Sequence, residues 1–387
     1  MIVELHLIQN FAPSCLNRDD TNSPKDCDFG GYRRARLSSQ CLKRAIRRAF
    51  PQMLPPEDLA WRTRRLALEI RDRLAAQGKD ADTALALARN ALGSLKLVVK
   101  DGDLTQYLVF VGSREIEALS AFCLQYGEAL QSLPTDQETE EASGKGKRGK
   151  KKGAGGELPK EALAALQNIL DGGKAVDLAL FGRMLADLPE RNIDAACQVA
   201  HALSTHEVGV DFDFYTAVDD LSPREETGAG MMGTVEFISA CFYRYANLDF
   251  DQLTKNLGGD QELARKSVAA FLRAAVTALP TGKQNSMAAH NPPSLVFGVV
   301  RHRGCWSLAN AFVEPIRPKP GRDLIQGSVA ALEDYWQRLC TVYGADDIPV
   351  QKVLALDGRL TTLAEHQVDT LEDFINGILD TLPGGAA

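Results

Sequence analysis

The sequence predicts an α+β fold, and three observations predict it. Val3, Leu5 and Leu7 alternate with Glu4 and His6, the period-two pattern of a half-buried strand. From Ser38 the pattern turns helical, with Leu42, Ala45, Ile46 and Ala49 on one face. Downstream, VGVDFDFYTAVDD and MMGTVEFISACFYRYANL read as two long β runs separated by Pro223 and a Gly-rich turn.

Taken in order, the first strand ends near Phe11 and runs into a loop rich in Pro, Ser and Asn. Ser38 or Ser39 is positioned to cap a helix that reaches about Phe50. Residues 57–130 are rich in Ala, Leu and Arg and read as mainly helical, broken by a hairpin in which LKLVV and QYLVFV flank Asp101, Gly102 and Asp103. Between Asp136 and Gly156 the chain is first acidic, then basic and Gly-rich, too polar to pack a core, so a mobile loop is expected. Helical signals return over Lys160–Leu170, strand-like alternation over Ala175–Phe181, and a helix over Ile193–Leu203. The two β runs suggest a long hairpin or protruding arm. A helix over 261–279, a Gly-Pro-bounded loop at 280–294, strands near 295–313 and two C-terminal helices follow, with no internal repeat.

The chain has 387 residues, 45% of them hydrophobic, enough to bury a full core. Its net charge of -7 means that any affinity for nucleic acid must come from where the cations sit. No stretch approaches the ~18 apolar residues of a membrane span, and the first ten residues lack the pattern of a signal peptide, so a cytoplasmic protein is expected. Eight cysteines are scattered without a C-x-x-C pair, which reads as reduced and structural, with no metal site.

The cations are unevenly placed. GGYRRARLSSQCLKRAIRR, from Gly30 to Arg48, carries seven Lys or Arg and no acid. Arg33, Arg34 and Arg36 precede the helix, while Gln40, Lys43 and Arg47 fall at i, i+3 and i+7 and line one side of it. Ser38, Ser39 and the free N–H groups of the helix start would make a phosphate seat that this strip extends. A solvated amphipathic helix is the competing reading. Upstream, Arg18 is placed to fork a phosphate while Asp19 and Asp20 tie their loop to its own backbone. The run GKGKRGKKK would attract any polyanion or serve as a solvated linker. In DFDFYTAVDD, Phe212 and Phe214 lie on one side of a strand and Tyr215 on the other. Exposed, such rings stack on bases of any identity; buried, they would pack on the main sheet.

No P-loop, H-E-x-x-H, G-x-S-x-G or dinucleotide fingerprint is present. Two other functions stay open: a metal-dependent ribonuclease, with His206 or His6 as general base and Asp19 and Asp20 on Mg²⁺, and a duplex-DNA-binding regulator.

SCLNRDD, FGGYRRARLSSQCLKRAIRR, ALFGRM, THEVGVDFDFYTAVDDL, GTVEFISACFYRYANL and SLANAF at 307–312 resemble, in order, the backbone subunit of type I-E Cascade, the complex that carries a CRISPR guide RNA. The resemblance implies an RRM-like (ferredoxin-like) palm in residues 1–56, 175–204 and 239–387, the last including C-terminal helices. It also implies a helical fingers insertion at 57–174 with a mobile basic loop at 143–156, and a β-hairpin thumb at 205–238. It places guide contacts on Arg18, Lys25, Ser38, Gln40, Lys43 and Arg47. Phe214, Tyr215 and Thr216 would wedge into the RNA, with Met184 on the opposite side; Phe214 stands where some relatives have tryptophan. Arg33, Arg34, Arg36 and Lys283 are candidates for RNA or interface contacts. Lys145, Lys147, Arg148, Lys150, Lys151 and Lys152 are candidates for target DNA. The implied function is non-catalytic and needs no cofactor: copies of the chain line the guide RNA (crRNA), kink it at intervals and present its bases to target DNA. The implied partners are further copies, end-capping subunits, a guide-processing endoribonuclease, a large subunit and a small-subunit dimer.

Overall fold

The computed structural model describes residues 1–133, 158–217, 231–356 and 359–384. The basic run Lys145, Lys147, Arg148, Lys150, Lys151 and Lys152, the expected mobile loop and the turn at Pro223 lie outside them. The chain divides into two units, one of Met1–Gln52, Cys197–Asp251 and Gln261–Ala387, the other of Met53–Ala196 and Gln252–Asp260. The first opens with β1 (Ile2–Ser14), β2 (Asp26–Phe29), β3 (Tyr32–Leu37) and α1 (Ser39–Ala49). The second follows with β4 (Ala60–Thr63), α2 (Leu66–Ala76), α3 (Ala81–Ser94), β5 (Val99–Lys100), β6 (Leu104–Thr105), β7 (Val109–Gly112), α4 (Ser113–Gln125), α5 (Gly127–Gln131), α6 (Lys160–Ile169) and α7 (Val176–Phe181). The chain then forms β8 (Cys197–Val199), β9 (Ala202–Ser204), β10 (Asp211–Ala217) and β11 (Met231–Asp249). After α8 (Phe250–Asn256) come α9 (Gln261–Thr277), α10 (Gln284–Met287), β12 (Leu295–Arg301), α11 (Leu324–Tyr343), β13 (Val350–Ala355) and α12 (Leu371–Leu379).

The predicted α+β class holds. Unit one is built on a large antiparallel sheet in the order β13-β12-β1-β11-β9-β3-β2, with β8 and β10 also paired to β11. β1 lies between β11 and β12 in the middle of this sheet and is buried on both faces. That corrects the half-buried reading: Glu4 and His6 are as enclosed as Leu5 and Leu7. On their face, His6 stacks near Tyr245 and Phe297 at 5.1 and 5.5 Å, and Trp336 of α11 closes the layer. Glu4 accepts hydrogen bonds from Tyr245 Oη and the Trp306 amide, both at 2.6 Å. His6 Nδ1 meets Tyr243 Oη at 2.8 Å, and burial pushes the His6 imidazole down to about 3. On the other face, Gly298 leaves room for Phe374 and Ile378 of α12, whose ring and methyl would lie 2.6 Å from an added Cβ.

Unit two packs α2, α3, α4, α5 and α6 around an aliphatic core. At its base Arg183 and Glu115 form a buried ion pair, with Arg183 Nη1 donating to both carboxylate oxygens at 2.9 Å. Glu115 also accepts from the Gly112 and Gly172 amides, both at 2.7 Å.

Four expectations are corrected. The hairpin around Gly102 is only the two-residue pair β5–β6, because Val109–Gly112 pairs with β4 instead. Ala175–Phe181 is helical, not extended, and stays in unit two: Ala175 and Leu178 pack on Ala60 and Phe110, and Asp177 accepts the Ala60 amide at 2.8 Å. The return to unit one therefore comes at Cys197. Ile193–Leu203 contains strands, since β11 and β3 offer open edges that outweigh the helix preference of its alanines. β13 was not foreseen; it pairs with β12 over Leu295–Val300.

Candidate nucleic-acid interface

Helix α1 begins where β3 leaves the sheet. Ser38 caps it, its Oγ accepting the Cys41 amide at 3.3 Å, while Asn17 Oδ1 accepts the Ser38 amide at 2.8 Å. These two bonds fix the helix start to the loop that carries Arg18. Leu42 and Ile46 anchor the inner side. Gln40 is exposed, and Lys43 and Arg47 are half-buried along the row the sequence predicts.

The phosphate seat expected of free amides is already in use. Ser39 N donates to His201 Nδ1 at 3.4 Å, and Arg36 Nη1 lies 3.3 Å from the same nitrogen. Burial lowers the His201 imidazole, and the charges of Arg36 and Lys25 lower it further, which keeps it a neutral acceptor. Lys25, Arg36 and the helix start thus meet around one imidazole. The other early arginines differ. Arg33 is paired with Asp26 at 2.6 Å and Asp28 at 3.5 Å. Arg34 is a correction: its side chain is fully buried, donating to the carbonyls of Phe312, Val313 and Ser204 at 2.8, 3.0 and 3.3 Å, so it holds backbone and offers nothing to RNA.

A second row on α1 escaped the sequence reading. Cys41, Arg44, Ala45 and Arg48 run at helical spacing about a third of a turn from the Gln40 row. They line an open cleft of about 440 Å³ whose other walls are Leu16–Asp19, Asn22 and Leu279–Gly282. Arg18 turns its Nη1 to Asn22 Oδ1 at 3.1 Å. Gly282 touches the opposite wall so closely that a Cβ there would meet Leu16 O at 2.4 Å. Lys283, half-buried, follows it with φ 51°. The first loop, α1 and the 280–294 loop, read separately in the sequence, therefore enclose one basic cleft.

The arm is β10 paired with the first seven residues of β11, Asp211↔Phe237 through Ala217↔Met231. Every residue of β10 is exposed. The register puts Phe212, Phe214 and Thr216 on one face with Met232, and Tyr215 on the other with Gly233. Phe212, Phe214 and Met232 are each about two-thirds exposed, so the rings are not packed on the main sheet. Tyr215 lies across Gly233, where an added Cβ would meet its Oη at 2.5 Å. Met232 is the residue missed; only the strand pairing shows that it shares a face with Phe214. Met184 belongs to unit two and is 82% exposed.

The residues of the nuclease reading are engaged otherwise. His206 accepts the Cys241 amide at 3.2 Å and donates from Nδ1 to Glu207 O at 2.9 Å, which fastens the foot of the arm. Asp19 Oδ1 accepts from the amides of Thr21 and Ser23 and from Thr21 Oγ1 within 2.9 Å. Among the described residues no cluster of His, Cys, Asp and Glu converges as a metal site, and no helix is long and apolar enough to cross a membrane.

The model of the CT1975-like protein family matches residues 3–381. The chain belongs to this family. Two solved structures share the family member's fold nearly end to end. One, described as "CRISPR RNA-guided surveillance complex, pre-nicking", is 34% identical with a TM-score of 0.81, covering 98% of this chain and 99% of that one. The other, "CRISPR RNA-guided surveillance complex", is 30% identical with a TM-score of 0.72 over 99% and 100%. Both agree with the resemblance carried by the motifs. No curated protein sequence matches.

Proposed function

We propose that this CT1975-like chain is the guide-RNA-binding backbone subunit of a type I-E Cascade surveillance complex. Unit one serves as an RRM-like palm, unit two as fingers and the β10–β11 arm as thumb. The observation that carries this reading is the pairing, within unit one, of a cationic helix with a solvent-exposed arm bearing Phe212, Phe214 and Met232. Gln40, Lys43, Arg47, Lys25 and Arg18 grip ribose-phosphate without reading bases, and the arm's rings part the stack at intervals. Sequence recognition is then left to pairing between guide and target DNA. Copies of the chain repeat along the guide, alongside end-capping, large and small subunits and the guide-processing endoribonuclease, in the cytoplasm and without cutting RNA. Matches to RNA-guided surveillance complexes over almost the whole chain support this assignment.

The test is the salt dependence of binding to single-stranded RNA. Lys43→Ala with Arg47→Ala should reduce the log–log slope by about 1.4, at about 0.7 per phosphate contact. An unchanged slope removes α1 as the phosphate seat. Labelled guide RNA incubated with the protein and Mg²⁺ should remain intact; metal-dependent loss abolished by His206→Ala would restore the ribonuclease reading.

A further inference from the structure

Arg244 is a buried cation whose hydrogen bonds reach two distant stretches of chain. It lies on β11 opposite Leu7 of β1 and is 5% exposed. No carboxylate pairs with it among the described residues, and burial pushes its guanidinium down to about 10, so it stays charged at neutral pH. An enclosed charge of this kind destabilises a fold unless its hydrogen bonds offset the lost hydration. Nη2 donates to Ala275 O in the last turn of α9 at 2.7 Å. Nη1 donates to Gln9 Oε1 at 2.6 Å, and Gln9 Nε2 donates in turn to Asn291 O at 2.7 Å. Ala275 and Asn291 stand at the two ends of the segment that leaves α9 and returns to β12. One planar fork therefore ties both ends of that segment to the middle of the sheet.

The segment so held is strained. Lys283 and Ala288 take φ 51° and 49° on either side of α10, although both carry a Cβ. Gln284 spans the loop from within, its Nε2 donating to Pro280 O and Ala289 O at 3.3 and 3.1 Å. Left-handed backbone at such residues persists only where the surroundings over-determine it, and it concentrates at binding elements. The side chain at the start of this turn, Lys283, has no ion-pair partner among the described residues. Its charge and that of Arg18 both act on the Cys15 thiol, so the loop brings the ammonium into the neighbourhood of the first loop's arginine.

We infer that Arg244 is a positioning residue: through Ala275 and Gln9 it clamps the 276–290 segment and so fixes Lys283 where it meets a phosphate of the guide strand. The inference rests on the guide-RNA reading and adds to it a buried group that itself touches no RNA. The fork is essential, because a lysine ammonium in its place would reach one of the two acceptors and not both.

The test joins amide hydrogen exchange to the salt dependence of single-stranded RNA binding, both on the full chain. Arg244→Met should speed exchange in 276–291 by about tenfold or more, while β1 and β12 change by less than about threefold. Arg244→Lys, which keeps the charge, should do the same. Lys283→Gln should lower the log–log slope by about 0.7 in wild type and leave it unchanged in the Arg244→Met background. If Arg244→Met does not fold, Gln9→Leu, which cuts one side of the clamp and leaves the guanidinium, supplies both readings. Unchanged exchange in 276–291, or full rescue by Arg244→Lys, would overturn the clamp. So would exchange that rises equally in β1 and β12, since Arg244 would then serve the sheet alone. A Lys283→Gln effect that is absent in wild type, or equal in both backgrounds, would overturn the link from clamp to phosphate. Wild-type binding with no salt dependence would instead remove the guide-RNA reading, with exchange still deciding whether Arg244 holds the loop.

Discussion

Arg183→Met should loosen unit two while leaving unit one untouched. The Arg183 guanidinium is 1% exposed and Glu115 is wholly enclosed. Arg183 also donates to Leu170 O at 3.0 Å, so its loss frees a carbonyl as well as a carboxylate. Methionine fills much of the vacated volume, and the damage is electrostatic: a buried carboxylate keeps two amide donors and loses its countercharge among the described residues. Breaking such a pair typically destabilises by about 3–5 kcal/mol. If the unit opens as one cooperative piece, that is roughly 150- to 5,000-fold faster amide exchange for its core. Hydrogen exchange read by mass spectrometry should show this in α4 and in Gly172–Phe181, with β1 and β11 unchanged. Replacing Glu115 by Gln as well should recover part of the loss, because the uncompensated charge goes while the amide oxygen can still accept one of the two backbone amides. A double variant no more protected than Arg183→Met alone would refute the electrostatic account.

Further outcomes follow from other sites. Phe214→Ala, at an exposed position, should change stability by less than about 0.5 kcal/mol and leave the salt slope intact, yet erase periodic protection of bound RNA in nuclease footprinting. Gly282→Ala should cost about 1–3 kcal/mol, read as a urea midpoint shift, because its Cβ meets backbone oxygen of Leu16 and Cys15. His6, held neutral by burial, should make the fold acid-sensitive. The unfolded imidazole takes up its proton near 6.5 and the folded one only near 3, so stability is intact above the first value and falls between them, by about 1.4 kcal/mol per pH unit. Glu4, raised by the same burial, acts in the opposite sense, so the measured quantity is the difference in urea stability between wild type and His6→Gln from pH 7 to 5. A difference of about 2 kcal/mol is expected at pH 5; a flat difference would mean that the imidazole is hydrated in the native state.

What the sequence made legible was local and amphipathic. Ser38 as cap, Leu42 and Ile46 as anchors and Gln40, Lys43 and Arg47 as a row all follow from helical period and capping chemistry, which need no tertiary information. The alternation of Phe212, Phe214 and Tyr215 is equally local. Periodicity misled where a segment is enclosed on all sides. β1 and Ala175–Phe181 are both surrounded, so neither polarity nor period marks which groups face inward. The fate of the arginines was illegible for the same reason: Arg33, Arg34 and Arg36 are chemically alike, and only the distant carbonyls of Ser204, Phe312 and Val313 decide that Arg34 turns in. In ALFGRM the neighbouring Arg183 and Met184 divide oppositely, one sealed on Glu115 and one open to solvent. The cleft needed Leu279–Gly282 to arrive from more than two hundred residues away.

Strand β11 runs unbroken for 19 residues, about 60 Å of extended chain. Its first seven residues belong to the arm and the rest to the middle of the sheet, where Ile238 onward pairs with β1. Arm and foundation are thus a single cantilever with no joint between them. Load placed on the arm is delivered straight to the registry of β1, and a place able to yield is the irregularity between Phe11 and Ser14, where β1 slips past β11.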